Sequence, residues 1–236
     1  MTYKMILTTA ALSALCGPAL AQGFTGGQIG IGYEAPVDGG DFGGTTYSLG
    51  GEYAFTRDFS VAGDVSSYRL DNIDEDASSV TIHGIYHFSQ TASAGVFIGQ
   101  DYLTGDDANL FGVEAGTEFM GGDVGGYIGS IDGNSDGIIA GLDGEYAFGN
   151  GVSLTANAGF YTSDDGDADL SRFAIGSEYR FDSGLEFYAE LGNVAVSLDD
   201  RDADETYLGI GATLNFGAAR GTTFDQRSLF EILPGF

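Results

Sequence analysis

The stretch Ile138-Ile139-Ala140-Gly141-Leu142-Asp143-Gly144-Glu145-Tyr146-Ala147-Phe148, followed by Gly149-Asn150-Gly151, decides the fold. Ile138, Ala140, Leu142, Gly144, Tyr146 and Phe148 fall on one parity, and Gly141, Asp143, Glu145 and Ala147 on the other. Period-2 alternation is the mark of a strand with two unlike faces, and Asn-Gly after it marks a tight turn. The same split separates Tyr47, Leu49, Gly51, Tyr53 and Phe55 from Thr46, Ser48, Gly50, Glu52 and Ala54. One ending recurs: Tyr53-Ala54-Phe55, Tyr86-His87-Phe88, Tyr146-Ala147-Phe148 and Tyr179-Arg180-Phe181, relaxed at Thr117-Glu118-Phe119 and Leu214-Asn215-Phe216. Successive final Phe positions lie 33, 31, 29, 33 and 35 residues apart. A unit of that length holds two strands of about ten residues with one short and one longer connection, so six units predict twelve strands.

The connections alternate in kind. Tight turns follow the aromatic endings, at 56–58, 89–91, 121–123, 149–151 and 182–184, whereas longer acidic loops fall at 36–44, 71–78, 104–108, 132–137, 164–170 and 197–205. Alternation alone fits a soluble sandwich as well as a membrane barrel, because either can bury or present the apolar parity. The aromatic pair at the same end of every unit favours the barrel, where it forms the girdle at the bilayer interface. The expected fold is therefore all-β: a transmembrane antiparallel up-and-down β-barrel of 12 strands, with an N-terminal signal peptide and a short C-terminal extension.

Composition narrows the function. The chain of 236 residues carries 35 Asp plus Glu against 8 Lys plus Arg, a net charge of −27, with 40 Gly, 3 Pro, 13 Tyr and 17 Phe. Aromatic residues spread over the whole length exclude a disordered acidic tail, and the charge argues against nucleic acid as a partner. Lys4 precedes an apolar stretch, and Ala19-Leu20-Ala21 supplies the small residues of a cleavage site, so residues 1–21 read as a cleaved signal peptide and export is expected. The only Lys and the only Cys lie in that leader, leaving seven Arg against 35 acids and no thiol for a disulfide or a metal. Past residue 22 nothing approaches the ~20 apolar residues of a spanning helix. The barrel is assigned to 22–216 and the extension to 217–236.

Tyr207-Leu208-Gly209-Ile210-Gly211-Ala212-Thr213-Leu214-Asn215-Phe216 resembles the closing strand of bacterial outer-membrane proteins, with Phe216 terminal and Leu214, Ala212, Ile210 and Leu208 alternating behind it. The resemblance implies recognition by the barrel assembly machinery, and it departs from the pattern in that twenty residues follow Phe216. The stretch from about Gly23 to Phe216 resembles small porin-like barrels of Gram-negative, alphaproteobacterial envelopes. That implies the cell outer membrane as location, lipid and lipopolysaccharide as surroundings, small solutes as cargo, and a monomer or homotrimer. Strand number also fits the oligogalacturonate and sialic-acid porins, which line their channels with bases for acidic sugars; this sequence does the opposite.

With the aromatic parity on lipid, Glu34, Glu52, Asp64, Asp101, Glu114, Glu118, Asp143, Glu145, Glu178, Glu186 and Glu190 point inward, accompanied mainly by Arg172 and Arg180. Glu52, Glu118, Glu145 and Glu178 stand just before aromatic endings and are expected at similar depth, as a ring that repels anions and concentrates cations. Glu114, Asp143, Glu190, Arg172 and Arg180 complete the expected pore lining. The expected function is passive diffusion of small hydrophilic solutes with preference for cations. The alternative is a non-conducting structural or adhesive barrel, its bore filled by Arg–carboxylate bridges and its acidic loops meeting the surroundings. Inward glycines leave room in the lumen or serve barrel curvature.

His83 and His87 share the inward parity about 13 Å apart, too far to hold one metal, and are expected to be hydrogen-bonded within the lumen. No nucleophile elbow is present, and Gly84 and Ile85 follow His83 where a His-x-Ser would need Ser; an enzyme would need a His–Ser pairing across strands, so none is expected. Asp132-Gly133-Asn134-Ser135-Asp136-Gly137 partly matches a calcium loop, with Asp143 at its twelfth position. Asp132, Asn134 and Asp136 are candidate ligands, and weak binding of Ca²⁺ or Mg²⁺ by the acidic loops is the only cofactor expectation. In the extension, Asp225 can cap a short helix through Leu229, Ile232 and Leu233, ended by Pro234-Gly235. Twelve strands put both ends on the periplasmic side, so 217–236 is expected to be a periplasmic tail or to fold back into the barrel mouth as a plug or docking segment.

Overall fold

The computed structural model describes all residues except 1–22, 38, 40–42, 72–75, 104–105, 134–135, 199–200, 218–221 and 234–236. The expected leader, Asn134 and the extreme C-terminus lie outside the described residues. Twelve strands run in chain order: β1 (Phe24–Pro36), β2 (Gly44–Ala54), β3 (Phe59–Leu70), β4 (Asp76–His87), β5 (Ala92–Leu103), β6 (Asp106–Phe119), β7 (Gly122–Asp132), β8 (Gly137–Ala147), β9 (Val152–Ser163), β10 (Ala168–Arg180), β11 (Leu185–Leu198) and β12 (Arg201–Phe216). Each pairs antiparallel with its sequence neighbours, and β1 closes the sheet on β12 from Gly27 opposite Phe216 to Pro36 opposite Tyr207. Closure leaves no open sheet edge, as a lipid-embedded sheet requires.

The barrel is inside out relative to a soluble sandwich. On β3, Val61 and Val65 are 40% and 46% exposed whereas Asp64 and Ser66 are 3% and 1% exposed. The polar parity therefore faces the bore and the apolar parity faces outward, around the whole circumference. The recurrent Tyr-x-Phe ending acquires a physical reason. Its two rings sit on one outer face and pack against each other at 5.1 Å in Tyr53–Phe55, 4.9 Å in Tyr86–Phe88, 5.3 Å in Tyr146–Phe148 and 4.7 Å in Tyr179–Phe181, all edge-on.

Turn chemistry follows the residues. Thr56 Oγ1 accepts from the N–H groups of Asp58 and Phe59, closing the β2–β3 connection. The turn expected at 121–123 lies one residue earlier: Met120 (φ 54°) and Gly121 (φ 86°) form a two-residue connection with both φ positive, and Gly122 already belongs to β7. Two positive φ values match the right-handed twist of the flanking strands.

Past β12, residues 222–233 do not lie outside the barrel. They re-enter it, and the only helical turn among the described residues is the 3₁₀ turn Leu229–Glu231, capped by Ser228 Oγ accepting from the Phe230 N–H. Of the two placements expected for the extension, residues 222–233 take the fold-back into the barrel. The physical reason is mutual need: Phe224 and Ile232 bury their side chains against inward apolar residues, and the segment's polar groups find partners on the wall.

Candidate functional site

The C-terminal segment lies across the bore from one wall to the other. Its Thr223 N–H donates to Glu52 on β2 (2.8 Å), and Phe224 packs against Ala62 on β3 and Ile85 on β4. Gln226 meets Ser66 on β3. The Arg227 carbonyl accepts from Thr81 Oγ1 on β4 (2.9 Å), and its guanidinium donates to Glu114 on β6 (2.9 Å). Leu229 N–H donates to Asp101 on β5 (2.7 Å), and Tyr68 OH donates to Glu231 (2.9 Å). On the opposite wall Arg172 of β10 donates to the Glu231 carbonyl, and Ile232 sits over Gly159 of β9. Burial pushes the Glu231 carboxyl above its ordinary range, with Arg172 pulling the other way.

Toward the ends of the strands that carry the long loops, the bore is apolar. Ile131, Ile139, Tyr161, Leu170, Val194 and Val196 point inward and close on Ile232, with Leu229 and Leu233 packed alongside. Inward glycines do not leave open space everywhere either. Tyr127 lies against Gly141, Tyr207 against Gly192, Tyr188 against Gly211 and Phe97 against Gly112, so rings cover the places where side chains are missing.

What remains open is a cavity of about 1020 Å³ bordered by the segment and by every strand of the wall except β4. Glu118, Glu145 and Glu178 of the expected ring border it, as do Asp143, Glu190, Arg172 and Arg180. Glu52 does not; it is buried beneath Thr223. Glu114 is likewise removed from the cavity wall, held between Arg227 and His83. Register places Asp123 of β7 directly opposite both Glu118 of β6 and Glu145 of β8, three carboxylates in a row across adjacent strands. The bases meet them only in part. Arg172 Nη2 lies 3.0 Å from Glu34 and 2.5 Å from Glu190, and Arg180 reaches Glu186 at 2.5 Å and Glu145 at 3.8 Å.

The two histidines are separate stations. His83 has Nδ1 2.7 Å from Glu114 Oε1 and Nε2 3.2 Å from Asp64 Oδ2. His87 has Nε2 2.9 Å from Ser60 Oγ and Nδ1 2.7 Å from Ser93 Oγ. His87 thus pairs with serines across both neighbouring strands, Ser60 of β3 and Ser93 of β5, a pairing that sequence cannot reveal; Ser93 borders the cavity, whereas Ser60 and His87 lie behind it. At the loop expected to bind calcium, Asp136 Oδ1 accepts from the Gly133 N–H (3.1 Å), and among the described residues no group of three His, Cys, Asp or Glu side chains is arranged to hold a metal ion. Several loop-end acids already accept from neighbouring side chains: Asp107 from Gln100, Asp202 from Ser197 and Asp204 from Asn193.

Sequence reasoning missed Arg227, Tyr127 and Glu231 as lumen groups. The available signal was a charge alternation, Asp225, Arg227 and Glu231, set among large apolar residues in a chain poor in bases.

No protein-family model matches this chain, and no curated protein matches it. Solved structures do. The KdgM porin is similar with 14% sequence identity and a TM-score of 0.60, over 80% of this chain and 99% of that one. The NanC porin is similar with 8% identity and a TM-score of 0.60, over 80% and 98%. The COG4313 outer membrane channel from Pseudomonas putida F1 is similar with 14% identity and a TM-score of 0.59, over 81% and 96%. Likeness at these identities shows the fold, a porin-like twelve-stranded barrel.

Proposed function

We propose that this chain is a porin-type channel of the Gram-negative outer membrane, passing small hydrophilic solutes with preference for cations and resting closed on its own C-terminal segment. The observation that carries this reading is the carboxylate row Glu118, Asp123 and Glu145 on the wall of a 1020 Å³ cavity that the segment borders. Like charges directly opposite across strands repel, and mobile cations drawn between them lower that cost. Anions are excluded by the same field. The contrast with a neighbour supports the sign: the KdgM porin has been solved in complex with oligogalacturonate, an acidic sugar chain, to which this lumen is electrostatically hostile. Leu208, Ile210, Leu214 and Phe216 on the outer face of the closing strand support insertion by the barrel assembly machinery.

A second reading, a non-conducting structural or adhesive barrel, draws on the Arg172 and Arg180 bridges and on the apolar closure around Ile232. The experiment that separates them is planar-bilayer recording of the refolded mature chain under a salt gradient. Openings whose reversal potential favours cations, shifting toward neutrality when Glu118, Glu145 and Glu178 become Gln, support the channel. Silence from the folded chain, persisting after the segment's anchors are removed, supports the structural barrel.

A further inference from the structure

Arg227 is held in a socket of barrel-wall groups, with Asp225 of its own segment adding to the negative field around it. Its side chain is 6% exposed; Nε lies 2.9 Å from Glu114 Oε2 of β6, and the guanidinium carbon stands 4.4 Å from the ring centroid of Tyr127 of β7. A carboxylate at the edge and an aromatic face beneath satisfy the two recognition surfaces of a planar guanidinium at once. Behind Glu114, His83 is shared with Asp64, so two buried carboxylates flank one imidazole. Even with His83 protonated, the wall group Glu114–His83–Asp64 keeps one net negative charge when Arg227 leaves. With both carboxylates ionised, the vacated socket favours a cation in the place of Arg227. Arg227, Tyr127 and Asp64 all border the cavity, which gives a dissolved cation a route to the place.

We propose that this socket is a guanidinium-recognition site, which the C-terminal segment occupies in place of a guanidinium-bearing solute. The inference rests on the channel reading for its biological sense: such a solute entering the acidic cavity competes with Arg227 for Glu114 and Tyr127, and its binding releases the segment. Selection within the class of cations follows from shape. An alkali ion or an alkylammonium can pair with Glu114 but has no planar face to lay on Tyr127, and a strongly hydrated ion gives up more solvation to enter.

The test uses the full mature chain with Arg227→Ala, folding being checked by heat-modifiable electrophoretic mobility, and ethylguanidinium as the probe with ethylammonium as control. Equilibrium dialysis in detergent should show ethylguanidinium binding to R227A at least about tenfold tighter than ethylammonium, and at least about tenfold tighter than to the unaltered chain. Adding Glu114→Gln should abolish the difference. Equal binding of the two cations by folded R227A, or preference retained in the double variant, overturns the proposal. Should R227A not fold, the unaltered chain still decides: ethylguanidinium should speed chymotryptic cleavage after Phe230 beyond the effect of equal ethylammonium, and no difference overturns the proposal. Dialysis needs no conductance, so a barrel that binds but stays silent refutes only the channel, and one that conducts without binding refutes only the socket.

Discussion

Pinning the C-terminal segment to the wall should close the barrel reversibly. A Cβ built at Gly159 lies 3.7 Å from the Cβ of Ile232, inside the roughly 3.5–4.5 Å window that a disulfide needs. The sequence has one Cys, Cys16, so in a chain produced from residue 22 onward the pair Gly159→Cys with Ile232→Cys has no competing thiol and should oxidise cleanly. Replacing Ile232 also removes its Cγ1, 2.9 Å from the new Cβ, which would otherwise obstruct the link. About sixteen residues separate Ile232 from Phe216, where the closing strand ends. Cross-linking a loop of about 15 residues removes on the order of 3 kcal/mol of freedom from its undocked state, which lowers the undocked population about a hundredfold. In planar-bilayer recordings, openings of the oxidised variant should become correspondingly rare, and a reductant should restore them to the level of the single variants. Unchanged conductance in a chain shown by mass spectrometry to carry the disulfide would refute the reasoning, because it would mean that the conducting path does not pass the segment.

Other consequences are equally open to measurement. Phe224→Ala removes a ring packed between Ala62 and Ile85 and should weaken the seat by about 3–5 kcal/mol, read as a raised open probability with the barrel still folded. Gly112→Ala drives a methyl group into the Phe97 ring and the Ile128 carbonyl; destabilisation by about 1–3 kcal/mol should appear as a lower temperature of heat-modifiable unfolding. Phe216→Ser takes the last outward aromatic from the strand that closes on Gly27 and should slow assembly into liposomes while leaving the mature barrel's conductance unchanged.

The fold was legible because its signal is local. Alternation along a strand needs only neighbours two residues apart, and the Tyr-x-Phe pairs that repeat about every 30 residues mark one rim of the barrel on the same short scale. The lumen was legible only as a parity. That Glu118 and Glu145 face inward can be read from the same alternation, but that Asp123 stands between them depends on register. Glu52 and Glu114 illustrate the limit: both have the inward parity, yet both are covered by a segment more than 100 residues further along the chain.

The sequence by itself determined a twelve-stranded barrel with an acidic interior and an aromatic girdle, because side-chain period, turn residues and charge are properties of short windows. Only the tertiary structure decided that the bore is occupied. The seat of Arg227 joins Glu114 and Tyr127 to a residue 113 and 100 positions away, and Arg172 reaches Glu34 across 138. Such contacts follow from closing β1 on β12 and turning the chain back inside, where buried carboxylates need donors and buried rings need apolar walls. A tail of mixed charge and large apolar residues satisfies both demands at once, and nothing in its own twenty residues reveals the wall it is made to meet.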